Sequence, residues 1–428
     1  MGLILTVLAV LAALGAIYEE YLTDRNTRVV ASENLPSGNA SGDKDLDAAL
    51  TFIGKNPNLP TAYNRLAELY IKKARETGDF SLNTKAETAV GRALEIAPDD
   101  LYARKLQASL DLTFHRFQTA FELGSALQKE NPTDAFVYGI LTDANVELGN
   151  YKEGIAAAQK MIDLKPNSSS YARVSHLRSL HGDSEGAIEM MKQAVRSTDP
   201  ANKEAQSWGM VQIGDEYWKN GKYDEAVKVY DEALENFPGY YLALAGKGRA
   251  NAAKGDLDQA VYDLSQAIER VPNVEATILL GDIFTLQGDA EKARQHYDLV
   301  EVIEQKIGVN NDQKRLALLW ADQGVRLDEA LDIASREYAQ RKDIFTADTY
   351  AWCLYKNGKL QEASQAVTEA LKLNTNDART LYHAGMIYRD LGDIKKSVIF
   401  LQQALKLNPK FDLLQAGRAE RALRDQRI

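Results

Sequence analysis

Five histidines, one cysteine and one glycine- and lysine-rich stretch are the residues of this 428-residue chain that could do chemistry. Histidine can move protons near neutral pH or ligate a metal. The five are His115, His176, His181, His296 and His383. His176 and His181 stand five apart, off the i, i+4 stripe that a helical metal pair needs, and neither lies in an acid-rich segment like those around helical zinc motifs. Isolated surface or packing histidines are the expected reading. Cys353 has no second cysteine to pair with and reads as a small packed hydrophobe. The stretch GKGRANAAKGD carries glycines and lysines, yet no GxxxxGK[ST] loop is formed and the segment falls inside a helical pattern. No GxSxG elbow occurs. Carboxylates are plentiful, but they sit at helix starts and on charged faces. The expectation is therefore no catalytic, metal or cofactor site, and a chain that is not an enzyme.

The elements that carry these residues follow a ruler. Pro98, Pro132, Pro166 and Pro200 are each 34 residues apart, as are Pro238 and Pro272. Gly221, Gly255 and Gly288 differ by 34 and 33, and Gly324, Gly358 and Gly392 by 34 and 34. A period near 34 predicts stacked helical hairpins, which build extended binding surfaces. The clearest unit begins at Ser207. Ile213 to Tyr217 and Ala226 to Tyr230 are i, i+4 steps that place side chains on one helix face. Gly221 divides the two helices, because glycine takes the left-handed conformation without a clash. Pro238 stops the second helix. Gly214 and Ala226 leave room for close helix approach, and Tyr217 and Tyr230 fill the neighbouring space.

This stretch resembles the tetratricopeptide repeat family. So do AKGDLDQAVYDLSQAIERVP, with Gly248, Gly255, Ala260, Ala267 and Pro272, and LYHAGMIYRDLGDIKKSVIFLQQALKLNP, with Gly385, Tyr388, Gly392, Ala404 and Pro409. Ser397 replaces the usual alanine. The resemblance implies an all-α, right-handed superhelical solenoid of about ten helix-turn-helix repeats. Their starts fall near Pro60, Leu101, Ala135, Ser168, Ser207, Tyr241, Val274, Asn310, Ile344 and Ala378. Three depart from the pattern. The first holds an insertion, since Pro57 to Pro98 is 41 residues, and ARETGDFSLNTK is where the extra length is expected. The second has Asp111 and Gly124 where aromatics are common. The eighth lacks a terminal proline and has an off-register second helix. DKDLDAALTFIGKNPN reads as a lone second helix before the first repeat. Phe411 to Arg427 reads as one amphipathic helix that caps the last hydrophobic face. The expected domains are an apolar segment 1–18, a polar linker 19–43, the solenoid 44–410 and the capping helix 411–428.

Formal net charge is −10, which disfavours nucleic acid as a partner, because phosphate affinity needs basic patches. Met1 to Tyr18 carries no charged side chain. That is at the short end of the roughly 20 residues a membrane span needs. An uncleaved anchor and a cleaved signal peptide both fit. No basic residue precedes the apolar core, as a signal would have, while Ala13 and Gly15 could serve a cleavage site. Arg25 and Arg28 on the far flank would hold the repeats in the cytoplasm. A signal-like start favours export, and the expectation adopted is a membrane-anchored or exported chain with periplasmic repeats, the cytoplasmic face being the alternative. The Ser-, Gly-, Asn- and Asp-rich segment that follows reads as a tether.

In stacks of this family the first helix of each repeat lines the concave groove. Carried onto this register, the geometry makes Tyr102, Phe136, Arg173, Trp208, Trp218, Arg249, Trp352, Tyr355, Tyr382 and Arg389 the candidate partner-binding residues, with Phe345, Asp215, Asp282 and His383 beside them. Aromatics and arginine dominate binding hot spots. The carboxylate clamp of the Hsp70 and Hsp90 co-chaperones is not expected, since Asn64 is followed by Glu68 and Lys105 by Ser109 where lysine and asparagine would be needed. The expected function is a non-enzymatic scaffold, membrane-associated or exported, that binds a protein or peptide in the groove. The resemblance to anchored bacterial repeat proteins implies envelope assembly or polymer export. A regulatory or accessory subunit of a membrane-associated enzyme complex is the alternative.

Overall fold

The computed structural model describes residues 43–306 and 313–425. The apolar segment 1–18 and nearly all of the linker therefore lie outside the described residues. Among those described there are twenty-two α-helices and no strand, in two compact units that divide between Leu106 and Gln107. The unit boundary falls inside one helix, Leu101–Thr113.

The first unit holds α1 (Lys44–Lys55), α2 (Pro60–Thr77), α3 (Ser81–Ile96) and the first half of α4 (Leu101–Thr113). Asp43 caps α1 by accepting from the backbone N–H groups of Asp45 and Leu46, and its carboxylate meets Lys73 at 2.7 Å. The predicted insertion lengthens α2 to 18 residues, and Gly78, at φ +72°, ends it. Leu66, Ala67, Ala86, Ala89 and Val90 are fully buried where α2 packs on α3.

The second unit continues as hairpins: α5 (Phe117–Glu130), α6 (Ala135–Glu147), α7 (Tyr151–Leu164), α8 (Ser168–Leu180), α9 (Ser184–Arg196), α10 (Lys203–Lys219), α11 (Tyr223–Asn236), α12 (Tyr241–Lys254), α13 (Leu257–Arg270), α14 (Val274–Leu286) and α15 (Ala290–Lys306). It closes with α16 (Lys314–Gln323), α17 (Leu327–Gln340), α18 (Ile344–Lys356), α19 (Leu360–Ala370), α20 (Ala378–Asp390), α21 (Ile394–Leu407) and α22 (Gln415–Asp425). A Gly-Asp pair makes four of the hairpin turns. Gly182, Gly255, Gly288 and Gly392 take positive φ, and the following Asp183, Asp256, Asp289 and Asp393 each accept from a backbone N–H three residues on. In the second repeat His115 stands near the turn instead, at φ +55°.

One packing rule recurs. A Cβ added to Gly214 would lie 2.5 Å from Tyr230, one on Gly248 2.6 Å from Leu264, and one on Gly385 2.6 Å from Leu401. Gly281 and Tyr297 make the same close contact, so each glycine receives the large side chain that stands sixteen residues later on the second helix. Tyr230 is clamped from both sides, because a Cβ on Gly246 of the next repeat would also lie 2.5 Å from its ring. Its hydroxyl donates to Asp215 at 2.6 Å.

The second unit also closes on itself. Three hairpin turns dock on three inter-repeat loops between 185 and 195 residues later. The α6–α7 turn meets residues 341–344: Lys342 N–H donates to the Glu147 carbonyl at 3.0 Å, Arg341 pairs with the Glu147 carboxylate, and Ile344 N–H donates to the Tyr151 hydroxyl at 2.9 Å. At the α8–α9 turn, Thr375 donates to the Leu180 carbonyl and Asn376 to that of Gly182, the latter at 2.8 Å. At the α10–α11 turn, Asn408 donates to the Trp218 carbonyl at 2.9 Å and Tyr223 donates to Asn408. The eighth repeat's missing proline belongs here. Arg341 stands three residues before α18, where Pro238 stands before α12, and it holds the seam.

The C-terminal element differs from its expectation. Residues 411–414 are not helical, and α22 begins only at Gln415. Asp412 accepts from the backbone N–H groups of Leu414 and Gln415 at 2.9 and 2.8 Å, which pins the helix start there.

Candidate functional site

Inside the second unit, the first helices of successive repeats surround a cavity of about 940 Å³. Trp218 of α10, Arg249 of α12, Glu275 and Asp282 of α14, Arg315 and Asp322 of α16, Asp348 of α18 and Arg379 of α20 face it. Second helices contribute at one place, where α15 supplies Arg294 and Tyr297. The segment Lys410–Leu414 crosses one side, followed by Gln415 and Arg418 of α22.

Neighbouring first helices are laced together along this face. Arg249 pairs with Asp215 and lies 4.2 Å from the centre of the Trp218 ring. Arg315 meets Glu275 at 2.9 Å. Trp352 Nε1 donates to Asp322 at 2.8 Å, and Gln415 adds a second donor at 3.1 Å. His383 lies 3.0 Å from the Asp348 carboxylate and stacks on Trp352 at 4.1 Å. A salt bridge of 3.7 Å joins Arg379 to Asp412.

Three carboxylates, Asp282, Asp322 and Asp412, share the cavity. Burial pushes Asp282 up to about 8, the nearby Asp412 charge adds to the rise, and the Tyr297 hydroxyl donating at 2.7 Å opposes it. Burial likewise raises Asp322, again with Asp412 adding. Eight basic and seven acidic side chains line the cavity. Among the described residues no group of three His, Cys, Asp or Glu side chains is placed to hold a metal ion. Cys353 is fully buried, and burial pushes its thiol up to about 12, so it stays protonated and unreactive.

The structure brings Trp218, Arg249, Asp282 and Phe345 of the sequence candidates to this cavity. Phe136 and Arg173 line a separate, smaller hollow, where Arg173 pairs with Asp143 at 2.6 Å. Tyr102 in the first unit is exposed and donates to Glu68. Trp208 is exposed, and Tyr355 and Arg389 are half-buried with Asp390 as their common partner. Three expectations are corrected. Trp352 and Tyr382, taken as exposed groove positions, are each 1% exposed, and His383 is buried with them. Their rings fill the space between adjacent first helices, where Trp352 stacks with Tyr355 and His383, and Tyr382 meets Phe411. The sequence reading missed Glu275, Arg315 and Arg379. A signal was present, since each stands second in its helix, the place that Tyr102, Phe136 and Phe345 occupy in theirs.

The family model of the tetratricopeptide repeat matches residues 211–272 and 255–305, and a second model of the same description matches 378–411. No curated protein matches the sequence. Among solved structures, the human IFIT1 dimer with PPP-AAAA is similar at 14% identity and TM-score 0.47, covering 85% of this chain and 95% of that one. PilW, a type IV pilus biogenesis factor, is similar at 14% identity and TM-score 0.42, covering 49% of this chain and 94% of its own. A tetratricopeptide repeat protein from Parabacteroides merdae is similar at 18% identity and TM-score 0.34, covering 61% and 99%.

Proposed function

From the premise that this chain is a tetratricopeptide repeat protein, we propose that it is a scaffold which holds an extended segment of a protein partner in the cavity of its second unit. Repeats of this family are in general protein-interaction scaffolds without catalysis. The cavity supports the reading. It lies where successive first helices converge, it is walled by aromatic and charged side chains, and it presents the side-chain types that anchor partners. The membrane part of the proposal rests on Met1–Tyr18, whose apolar run would tether the repeats at a membrane on its periplasmic side, in envelope assembly or polymer export.

A photo-crosslinking residue at Leu318 or Thr285, both on the cavity wall, tests the first part. The same residue at Tyr262, which is 62% exposed, is the control. Crosslinks to one partner from the cavity positions and none from Tyr262 are expected. Equal labelling at all three would remove the cavity from the proposal. Membrane fractionation tests the second part. The full chain should sediment with membranes, and a chain lacking residues 1–28 should not.

A further inference from the structure

The loop after the last proline is longer than its counterparts. From Pro98, Pro132 and Pro238 the next helix starts three residues on, and from Pro272 two, whereas Pro409 is followed by Gln415 six residues later. The extra residues do not loop into solvent. Lys410 N–H donates to the Tyr223 hydroxyl at 3.1 Å, on the seam. Phe411, 3% exposed, packs on Tyr382 with ring centres 5.4 Å apart. Asp412 reaches Arg379 at 3.7 Å. Leu413 then crosses the cavity side and packs against the apolar cluster of Leu280 and Ile283 on α14, over a hundred residues earlier in the chain.

We propose that residues 412–414 occupy, in cis, the place of the partner segment, and that the partner is an extended segment with an acidic residue set between apolar ones. This rests on the reading of the cavity as a partner site. Each anchor of the strap is one that a peptide would use: an aromatic beneath it, a guanidinium for its carboxylate, an apolar patch for its leucine. The Arg379–Asp412 contact and the Leu413 anchor are also exchangeable. The ion pair at 3.7 Å is long for a hydrogen bond, and Leu413 is only half-buried, so an incoming segment of the same pattern can take both contacts while Asp412 keeps its bonds to the start of α22. Phe411 is part of the core of the last repeat and stays in place as the hinge of the exchange.

The test uses the full chain and a labelled peptide of its own sequence, NPKFDLLQAGR, followed by fluorescence anisotropy. Leu413→Ser removes the apolar anchor, so the cavity is open in more of the molecules. The apparent affinity for the peptide should then rise by about tenfold over wild type, in proportion to the open fraction. Adding Arg379→Ala should abolish the gain, and a peptide with lysine in place of its aspartate should not bind. If Leu413→Ser keeps its helical signal and melting temperature and gains nothing, the strap is a fixed wall and the proposal fails. Equal binding of the lysine peptide would overturn the acidic partner. Should Leu413→Ser melt early, Leu413→Ala is the deciding variant, with the same outcomes. Crosslinks from Leu318 and Thr285 without any peptide gain would keep the cavity function and remove the strap.

Discussion

Glycines at equivalent turns are not equivalent residues. Gly182 and Gly358 both sit at positive φ, so alanine costs about 1 kcal/mol or more at either. Around Gly358 a Cβ would meet nothing within 4 Å, whereas at Gly182 it would lie 2.7 Å from the Asn374 carbonyl oxygen. Gly182→Ala should therefore lose about 1–3 kcal/mol beyond Gly358→Ala, read as the difference in chemical denaturation midpoints. Equal losses would mean that the seam is not formed in solution. His296 gives a second residue-scale expectation. It is 5% exposed against Phe284, and burial pushes its pKa down to about 4 from an ordinary 6.5. Between those values the unfolded chain binds a proton that the folded chain refuses. Its stabilising share is thus complete above about pH 6.5 and is lost as pH falls toward 4, at most about 3 kcal/mol. Melting temperatures at pH 7 and 4.5 should differ less in His296→Leu than in wild type, and an unchanged difference would place His296 in contact with water.

Between helices, the glycine slot sets stability. Leucine at Gly214 would have to displace Tyr230, which is fully buried and also filled against Gly246. Overpacking of this kind costs about 1–3 kcal/mol. Hydrogen exchange should lose protection in α10, α11 and α12 ahead of other helices, and uniform loss would contradict the slot. Much at this scale was legible in the sequence. The 34-residue ruler places helix starts at Pro60, Leu101, Ala135, Ser168, Tyr241, Val274, Ile344 and Ala378, where the helices begin; the helix expected at Ser207 begins four residues earlier, at Lys203, and Asn310 lies outside the described residues. Periodicity reports which stripe of a helix is apolar, and that stripe decides the hairpin. It does not report how tightly adjacent first helices approach. Trp352 and Tyr382 are buried there, whereas Trp208 and Phe136 stay exposed. The cavity was legible only in part for the same reason. Trp218, Arg249 and Asp282 follow from helix face alone, while Asp412 and Gln415 reach the cavity because a capping aspartate delays the last helix.

At the scale of the second unit, the seam changes how stability is shared. In an open stack each repeat touches its neighbours, and damage stays local. Here Asn376 of the loop before α20 holds the Gly182 carbonyl, and Asn408 after α21 holds that of Trp218, so distant repeats lend each other stability. No sequence signal marks such a pairing, since residues about 190 positions apart share no period. The combined variant Asn376→Ala with Asn408→Ala removes three side-chain hydrogen bonds across the seam, from Asn376 to Gly182, from Asn408 to Trp218 and from Tyr223 to Asn408, each worth about 0.5–1.5 kcal/mol. Amide protection should fall together in α8–α11 and in α20–α21. Asn251→Ala is the control, because its side chain donates to Asp263 at 2.9 Å within one repeat. It should loosen α12 and α13 and leave the seam helices protected. If the double variant loosens only the helices beside the substituted loops, the two turns of the solenoid do not hold one another. The second unit would then behave as an open stack whose cavity has no closing wall.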